Sequence, residues 1–272
     1  MILTCFGTAA AEGIPALYCS CPLCETARQR GGREIRSRHL AQVDDDLQFD
    51  LGPDIFYQIQ ALKFNPRNIR HLIITHTHSD HFAMESLNMR ASPFSLALDQ
   101  EIQVIGSEET IKLVLDELRG TPDRLGLSIR AIDPFEIIAL DGKTALTALP
   151  ANHAPGLGAM IYLLERADIK LLYAHDTGPL FPEVISFLKG RKIDGASLDC
   201  TGAYKGAGEY HLRLSGCDAL VHELKANGAI KEHCKVIISH FSHGGGALHS
   251  QLEEEARLRG WTAAYDGITV QI

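Results

Sequence analysis

Short apolar runs with β-branched and aromatic content recur along the chain, at residues 2–6, 39–43, 47–51, 71–75, 102–105, 129–132, 135–140, 145–149, 159–164, 169–174, 193–198 and 235–239. Several end at Gly, Asp or Pro, so each reads as a strand followed by a turn. Longer segments at 108–119, 180–189, 212–227 and 248–259 read as amphipathic helices between some of these strands. Leu180, Val184, Phe187 and Leu188 fall at helical spacing, and Leu248, Leu252, Ala256 and Leu258 approximate it. The strands are too numerous for a simple alternating βαβ chain, which leaves packed sheets covered by helices. No repeat, low-complexity tract or linker divides residues 1–272, so a single domain is expected.

Composition narrows the class. Hydrophobic residues are 45% of the 272 and charged residues 22%, ordinary globular values that exclude a disordered or fibrous chain. The start, Met-Ile-Leu-Thr-Cys-Phe-Gly, has neither the basic flank nor the apolar stretch of a secretion signal, and no run is long enough to span a bilayer. A cytoplasmic protein without a membrane partner is expected. The formal charge of −8 disfavours long nucleic acid as a partner, because an acidic surface repels phosphate backbone. The stretch Arg28, Arg30, Arg33, Arg36, Arg38 reads as a solvated helix and loop face.

The chemistry concentrates in Thr75-His76-Thr77-His78-Ser79-Asp80-His81, directly after an expected strand. Such a cluster should arise by chance roughly twice in a thousand chains of this composition. Imidazole and carboxylate together suit Zn²⁺, Mn²⁺ or Fe. A tight turn at the strand tip lets His76 and His78 face one way and Asp80 and His81 another, an arrangement able to serve two metals. His153, Asp176 and His240 each stand just past another expected strand, where a rigid sheet holds loops in register. Three of the seven cysteines crowd into Cys19-Ser20-Cys21-Pro22-Leu23-Cys24, a spacing that reads as metal ligation in a reducing compartment. Cys5, Cys200, Cys217 and Cys234 show no such spacing and are expected to be buried small residues.

HxHxDH followed by a distal His, an Asp and a last His resembles the metallo-β-lactamase superfamily, whose fold is a four-layer αββα sandwich. Phe49-Asp50-Leu51-Gly52-Pro53-Asp54 and Ala264-Tyr265-Asp266-Gly267 extend the resemblance over nearly the whole chain. It implies that His76, His78 and His153 hold one divalent ion and Asp80, His81 and His240 a second. Asp176 would bridge them, and Asp50 would orient the ligand loop by hydrogen bonding. The cysteine order, with His243 after His240, is similar to PhnP-type phosphodiesterases. That likeness implies a structural Zn²⁺ on Cys19, Cys21, Cys24 and His243, tying the loop at about 17–26 to the loop of His240, and a homodimer. Many superfamily members have Gly three residues after HxHxDH. Here His81-Phe82-Ala83-Met84 departs, so the segment at about 82–98 is expected to form a pocket insert.

Two Zn²⁺ or Mn²⁺ ions bridged by a carboxylate would supply a hydroxide nucleophile and bind the oxygens of a phosphodiester. Asp80 would then be essential to turnover. His211, in Gly208-Glu209-Tyr210-His211, is the candidate general acid. The loop 202–208 around Tyr204 and Lys205 reads as a lid or a plain turn. The expected activity is cleavage of a small, anionic, cyclic phosphate ester. A lactone or thioester hydrolase of the same fold, and a metal-stabilised accessory protein of a cofactor pathway, are the alternatives.

Overall fold

The computed structural model describes residues 1–98, 100–206 and 208–272. Ala207, within the expected 202–208 loop, lies outside them. Strands β1 (Ile2–Gly7), β2 (Leu40–Val43), β3 (Leu47–Phe49), β4 (His71–Ile73), β5 (Ile102–Gly106), β6 (Leu127–Ala131) and β14 (Ile268–Gln271) form one sheet, ordered β14-β1-β2-β3-β4-β5-β6. Strands β7 (Ile137–Ala139), β8 (Thr144–Pro150), β9 (Met160–Arg166), β10 (Ile169–Ala174), β11 (Ile193–Asp199), β12 (Ile230–Ser239) and β13 (Thr262–Ala263) form the other, ordered β13-β12-β11-β10-β9-β8-β7. Each sheet is antiparallel in one half and parallel in the other.

Every run read as a strand forms one, with displaced ends. The two further strands β13 and β14 were not among the runs read as strands, although Ile268-Thr269-Val270-Gln271-Ile272 has the same β-branched content. The expected helices are α3 (Glu108–Glu117), α4 (Pro182–Leu188), α5 (Leu214–Ala226) and α6 (His249–Arg259). Ser107 caps α3 by accepting from Thr110 N–H at 3.2 Å, and Pro182 opens α4, where a missing N–H does no harm. Helices α1 (Pro22–Arg30) and α2 (Ile55–Leu62) were not legible as helices in the sequence.

The sheets pack face to face over Leu3, Phe49, Ile73, Ile105, Leu146, Tyr162, Leu171, Tyr173 and Ile237. The outer face of the second sheet is covered by α4, α5 and α6 through Leu188, Leu224 and Leu252. The outer face of the first packs Val114 of α3 against Leu72, Ile74 and Val104. This is the αββα sandwich. The 82–98 segment joins the same outer cluster through Met84 and Leu87. It does line a cavity, but with α2 and without any of the metal-type histidines, because buried Met84 and Leu87 anchor it to the sheet's outer face.

The arginine stretch is not uniformly solvated. Arg36 is buried, donating to Thr8 Oγ1, Ala264 O and His249 Nδ1, because three otherwise unmet acceptors and the Phe241 ring surround it. Arg38 pairs with Asp54. Cys5, Cys200 and Cys217 are buried as expected, whereas Cys234 is half-buried.

Candidate metal centre

The same-directed strands β3, β4, β8, β10, β11 and β12 deliver their C-terminal ends to one edge of the sandwich. Asp50 follows β3, the His76–His81 turn follows β4, His153 follows β8, Asp176 follows β10, Asp199 ends β11 and His240 follows β12. Strand C-termini are where open sheets place ligand sites. Three of these residues leave their strands in the left-handed region: Asp50 (φ 63°), Asp176 (φ 49°) and His240 (φ 61°). That backbone is unfavourable for residues with a Cβ and gathers at functional sites. Gly52 is required locally, since a Cβ there would stand 2.5 Å from both Asp80 O and His39 O.

Donor atoms of His76, His78 and His153 cluster in one set, and those of Asp80, His81, Asp176 and His240 in another. Asp176 Oδ2 lies 2.5 Å from His81 Nε2 and 3.5 Å from His76 Nε2, between the two sets. Cys19, Cys21, Cys24 and His243 form a third set.

Hydrogen bonding fixes which ring nitrogen faces inward. Thr75 Oγ1 donates to Asp50, so His76 Nδ1 donates to Thr75 Oγ1 at 3.0 Å. His81 Nδ1 donates to Asp50 Oδ2 at 2.8 Å, and His153 Nδ1 to Tyr210 O at 3.1 Å. Thr201 Oγ1 donates to Asp199 Oδ2, so His240 Nδ1 donates to Thr201 Oγ1 at 2.9 Å. In all four rings Nε2 is the nitrogen left to face the cluster, the one through which a metal-binding imidazole would coordinate.

The residues fit divalent ions on this ground. His76 Nε2 is buried without a hydrogen-bond partner. His81 Nε2 and His240 Nε2 face each other at 3.2 Å, and His78 Nδ1 and His153 Nε2 at 3.1 Å. Nitrogens that close need a cation between them, either a metal ion or a proton: burial lowers His81 and His240, but Asp80 and Asp176 raise both above the ordinary histidine value. Tetrahedral Zn²⁺ with bonds of about 2.0–2.1 Å sets its ligand nitrogens about 3.3 Å apart. The loop set fits as well: His243 Nδ1 is 3.6 Å from Cys21 Sγ and 3.4 Å from Cys24 Sγ, close to the edge expected for mixed S and N ligands.

Charge follows from burial and neighbours. Burial holds His76 well below its ordinary pKa, with His81 adding to the effect, and burial also lowers His153. Both rings are therefore neutral. Burial pushes the Asp176 carboxyl up, but His240 and His81 together pull it well below the usual carboxylate range. Asp80 is likewise ionised, burial being outweighed by His81 and His240. The Cys21 thiol is held down to about 6, first by a backbone hydrogen bond from Cys24 and then by His243, whereas burial lifts Cys24 to about 11.

His211 stands beside the cluster. Its Nδ1 donates to Asp199 Oδ2 at 2.8 Å and lies 3.3 Å from Asp176 Oδ1, and its ring is tilted against that of His153, the centroids 4.8 Å apart. Burial lowers its pKa, but the Asp199 bond more than reverses this. The 208–211 loop sits there because Gly178 admits it: a Cβ at 178 would meet Glu209 O at 2.0 Å. Asp199 and Thr201 were not singled out from sequence. The only signal was Asp199 at a strand's end, without ligand spacing.

A family model described as beta-lactamase superfamily domain matches residues 47–234. The chain belongs to the metallo-β-lactamase superfamily, whose members are metal-dependent hydrolases. Among curated proteins it is similar to coenzyme PQQ synthesis protein B of Bradyrhizobium diazoefficiens, 28% identical over 312 residues and 97% of each chain. Among solved structures it resembles Zn²⁺-bound PqqB from Methylobacterium extorquens, with TM-score 0.80, 19% identity and all of both chains covered. It also resembles a diphosphatase from the PhnP family, with TM-score 0.74, 21% identity, and 100% of this chain and 97% of that one covered. Among the described residues, no helix is long and apolar enough to cross a membrane.

Proposed function

We propose that the protein is a dinuclear metal-dependent phosphodiesterase acting on a small, anionic, cyclic phosphate ester. The observation that supports this most is the sharing of one carboxylate, Asp176, by two converging donor sets, with a carboxylate-held histidine beside it. In this reading His76, His78 and His153 would hold one Zn²⁺ or Mn²⁺, Asp80, His81 and His240 would hold the other, and Asp176 would be shared between them. When bound, the ions bring an activated water at neutral pH and neutralise the charged oxygens of the ester.

The chain's own groups supply the rest. Asp176 is buried among histidines and acts as a ligand, leaving proton transfer to another group. His211 has its Nδ1–H committed to Asp199, so Nε2 is the nitrogen that can donate. As the P–O bond to the leaving alkoxide breaks, that oxygen takes the Nε2 proton, while the water oxygen, its own proton released to solvent and available to recharge His211, forms the new P–O bond. Asp199 keeps the imidazole oriented and stabilises its charged form before the transfer. Cys19, Cys21, Cys24 and His243 would hold a structural Zn²⁺ that would fix the loop carrying His240.

The test is initial-rate comparison on bis(p-nitrophenyl) phosphate and 2′,3′-cyclic nucleotides against lactone and thioester panels, alongside metal analysis. About three ions per chain and preferential phosphodiester turnover are expected. Phosphodiester rates no better than free metal would overturn the assignment. A second reading, a role in coenzyme synthesis, is favoured by the full-length similarity to coenzyme PQQ synthesis protein B. It becomes the better one if the fully metallated protein leaves every ester untouched.

A further inference from the structure

Along a strand every second side chain faces the same way. The inward row of β2 therefore starts at His39, ahead of Ala41 and Val43, and that of β10 runs Leu171, Tyr173, His175. Tyr162 of β9 stands opposite Tyr173 in register, and Phe49 of β3 packs against both rings. Two tyrosines thus carry fully buried hydroxyls into a largely apolar layer, where each must find a partner.

Each finds one on the opposite sheet. The Tyr162 hydroxyl donates to Ile74 O at 3.1 Å, and the nearby Met160 N–H donates to Thr75 O at 2.9 Å. Ile74 and Thr75 lead directly into His76, and Met160 pairs with Pro150, just ahead of His153. The Tyr173 hydroxyl donates to His39 Nε2, and His175 Nδ1 lies 3.3 Å from that nitrogen. The His39 ring centroid is 4.8 Å from that of His81, on the first sheet's side, and 5.5 Å from that of His240, on the second's. Its Nε2 is 3.6 Å from Asp50 Oδ2, the oxygen that accepts from His81 Nδ1.

We infer that Tyr162 and Tyr173 are positioning residues, each fixing the gap between the sheets under one donor set. Tyr162 serves His76, His78 and His153; Tyr173, through His39, serves Asp80, His81 and His240. Both sets are split across the sandwich, since His153 and His240 follow strands of the second sheet and the other four residues follow β4 of the first. Such a set keeps its spacing only as far as the sheets keep theirs. Apolar packing has no direction and tolerates sliding, whereas a hydrogen bond holds distance and angle narrowly. A slip of about 1 Å is enough to spoil a constellation of ligands. The inference rests on the two-ion reading of the cluster.

Nuclear magnetic resonance of ¹¹³Cd²⁺ on the full chain, with chelator competition, tests it without turnover. With Asp176 shared, one set offers three nitrogens and one oxygen and the other two of each, so their ions resonate apart, and both lie far from the sulfur-rich cysteine set. Tyr173→Phe should weaken the ion on the two-nitrogen set about tenfold and leave the three-nitrogen set within about twofold. Tyr162→Phe should do the reverse. His39→Leu should reproduce Tyr173→Phe, and the double variant should go no further than either alone. Equal weakening at both resonances would show that the hydroxyls serve only the fold, and it overturns the inference. Affinities unchanged in both tyrosine variants overturn it too, while leaving the two-ion reading in place. A wild type with no resonance from either His/Asp set removes that reading and the inference together.

Discussion

The His/Asp cluster and the Cys/His cluster both gather metal-type donors, yet they are built in opposite ways. The first lies at six strand ends, its acids and most of its histidines buried, with the inward nitrogens of His76, His81, His153 and His240 fixed by a hydrogen bond on the far side of the ring. The second sits on loops and the first turn of α1, with Cys19, Cys21 and His243 half-exposed. A site made by strands exists before any ion arrives, and it pays for this in mutual repulsion among donors. A site made by loops is completed by the ion. On the proposed reading, position and stability are divided between them: the buried cluster would set chemistry, and the loop cluster would secure the segment on which His240 rides.

Breaking that division should be possible from either side. Asp80→Ala should lower kcat by at least ~10³-fold with little loss of secondary structure, because it removes an ionised donor from a pre-built cage. Turnover within tenfold of wild type would refute the assignment of Asp80. Next in size, Asp199→Asn should lower kcat by about 10²-fold, since the amide cannot accept the Nδ1 proton as a charged partner. An unchanged kcat would remove His211 from the reaction. A smaller effect on rate, about threefold, is expected for Cys21→Ser, together with one lost metal equivalent and a fall in Tm of roughly 5 °C. If Cys21→Ser and Asp80→Ala gave the same pattern of losses, the two sites would not be separable.

The smallest effect concerns acid. His249, at the start of α6, accepts a hydrogen bond from Arg36, and burial followed by that cation holds its pKa down to about 4. Between pH 6.5 and 4 the unfolded chain takes up a proton that the folded chain refuses, so this part of the stability is lost as pH falls. His249→Gln keeps an acceptor for Arg36 without the proton. It should fall less in Tm over that range than the wild type, by roughly 2–4 °C, in parallel calorimetric scans. Equal slopes would discount the Arg36–His249 contact.

How much of this was readable beforehand depends on how local the signal is. The HxHxDH turn declares itself because its donors are neighbours in sequence. His153, Asp176 and His240 followed from the shared rule that functional groups sit past strand ends. Helix α1 escaped notice because its sequence, Pro-Leu-Cys-Glu-Thr-Ala-Arg-Gln-Arg, has almost no apolar stripe. Helix α2 escaped for the opposite reason, being apolar nearly all round. Strands β13 and β14 are short edges. Asp199 was silent because its role is to accept from His211 and the Leu212 N–H, partners that only the fold brings to it. The burial of Arg36 was equally invisible, since its acceptors come from residues 8, 249 and 264.

The left-handed backbone at Asp50, Asp176 and His240 has an evolutionary consequence. Glycine would relax all three positions, and asparagine would tolerate them better than histidine. A lineage released from the demands of its reaction would therefore drift toward those residues, gaining a sturdier scaffold as it lost its trade. Any genome copy with small residues at all three can be set aside as a retired catalyst before a single assay is run.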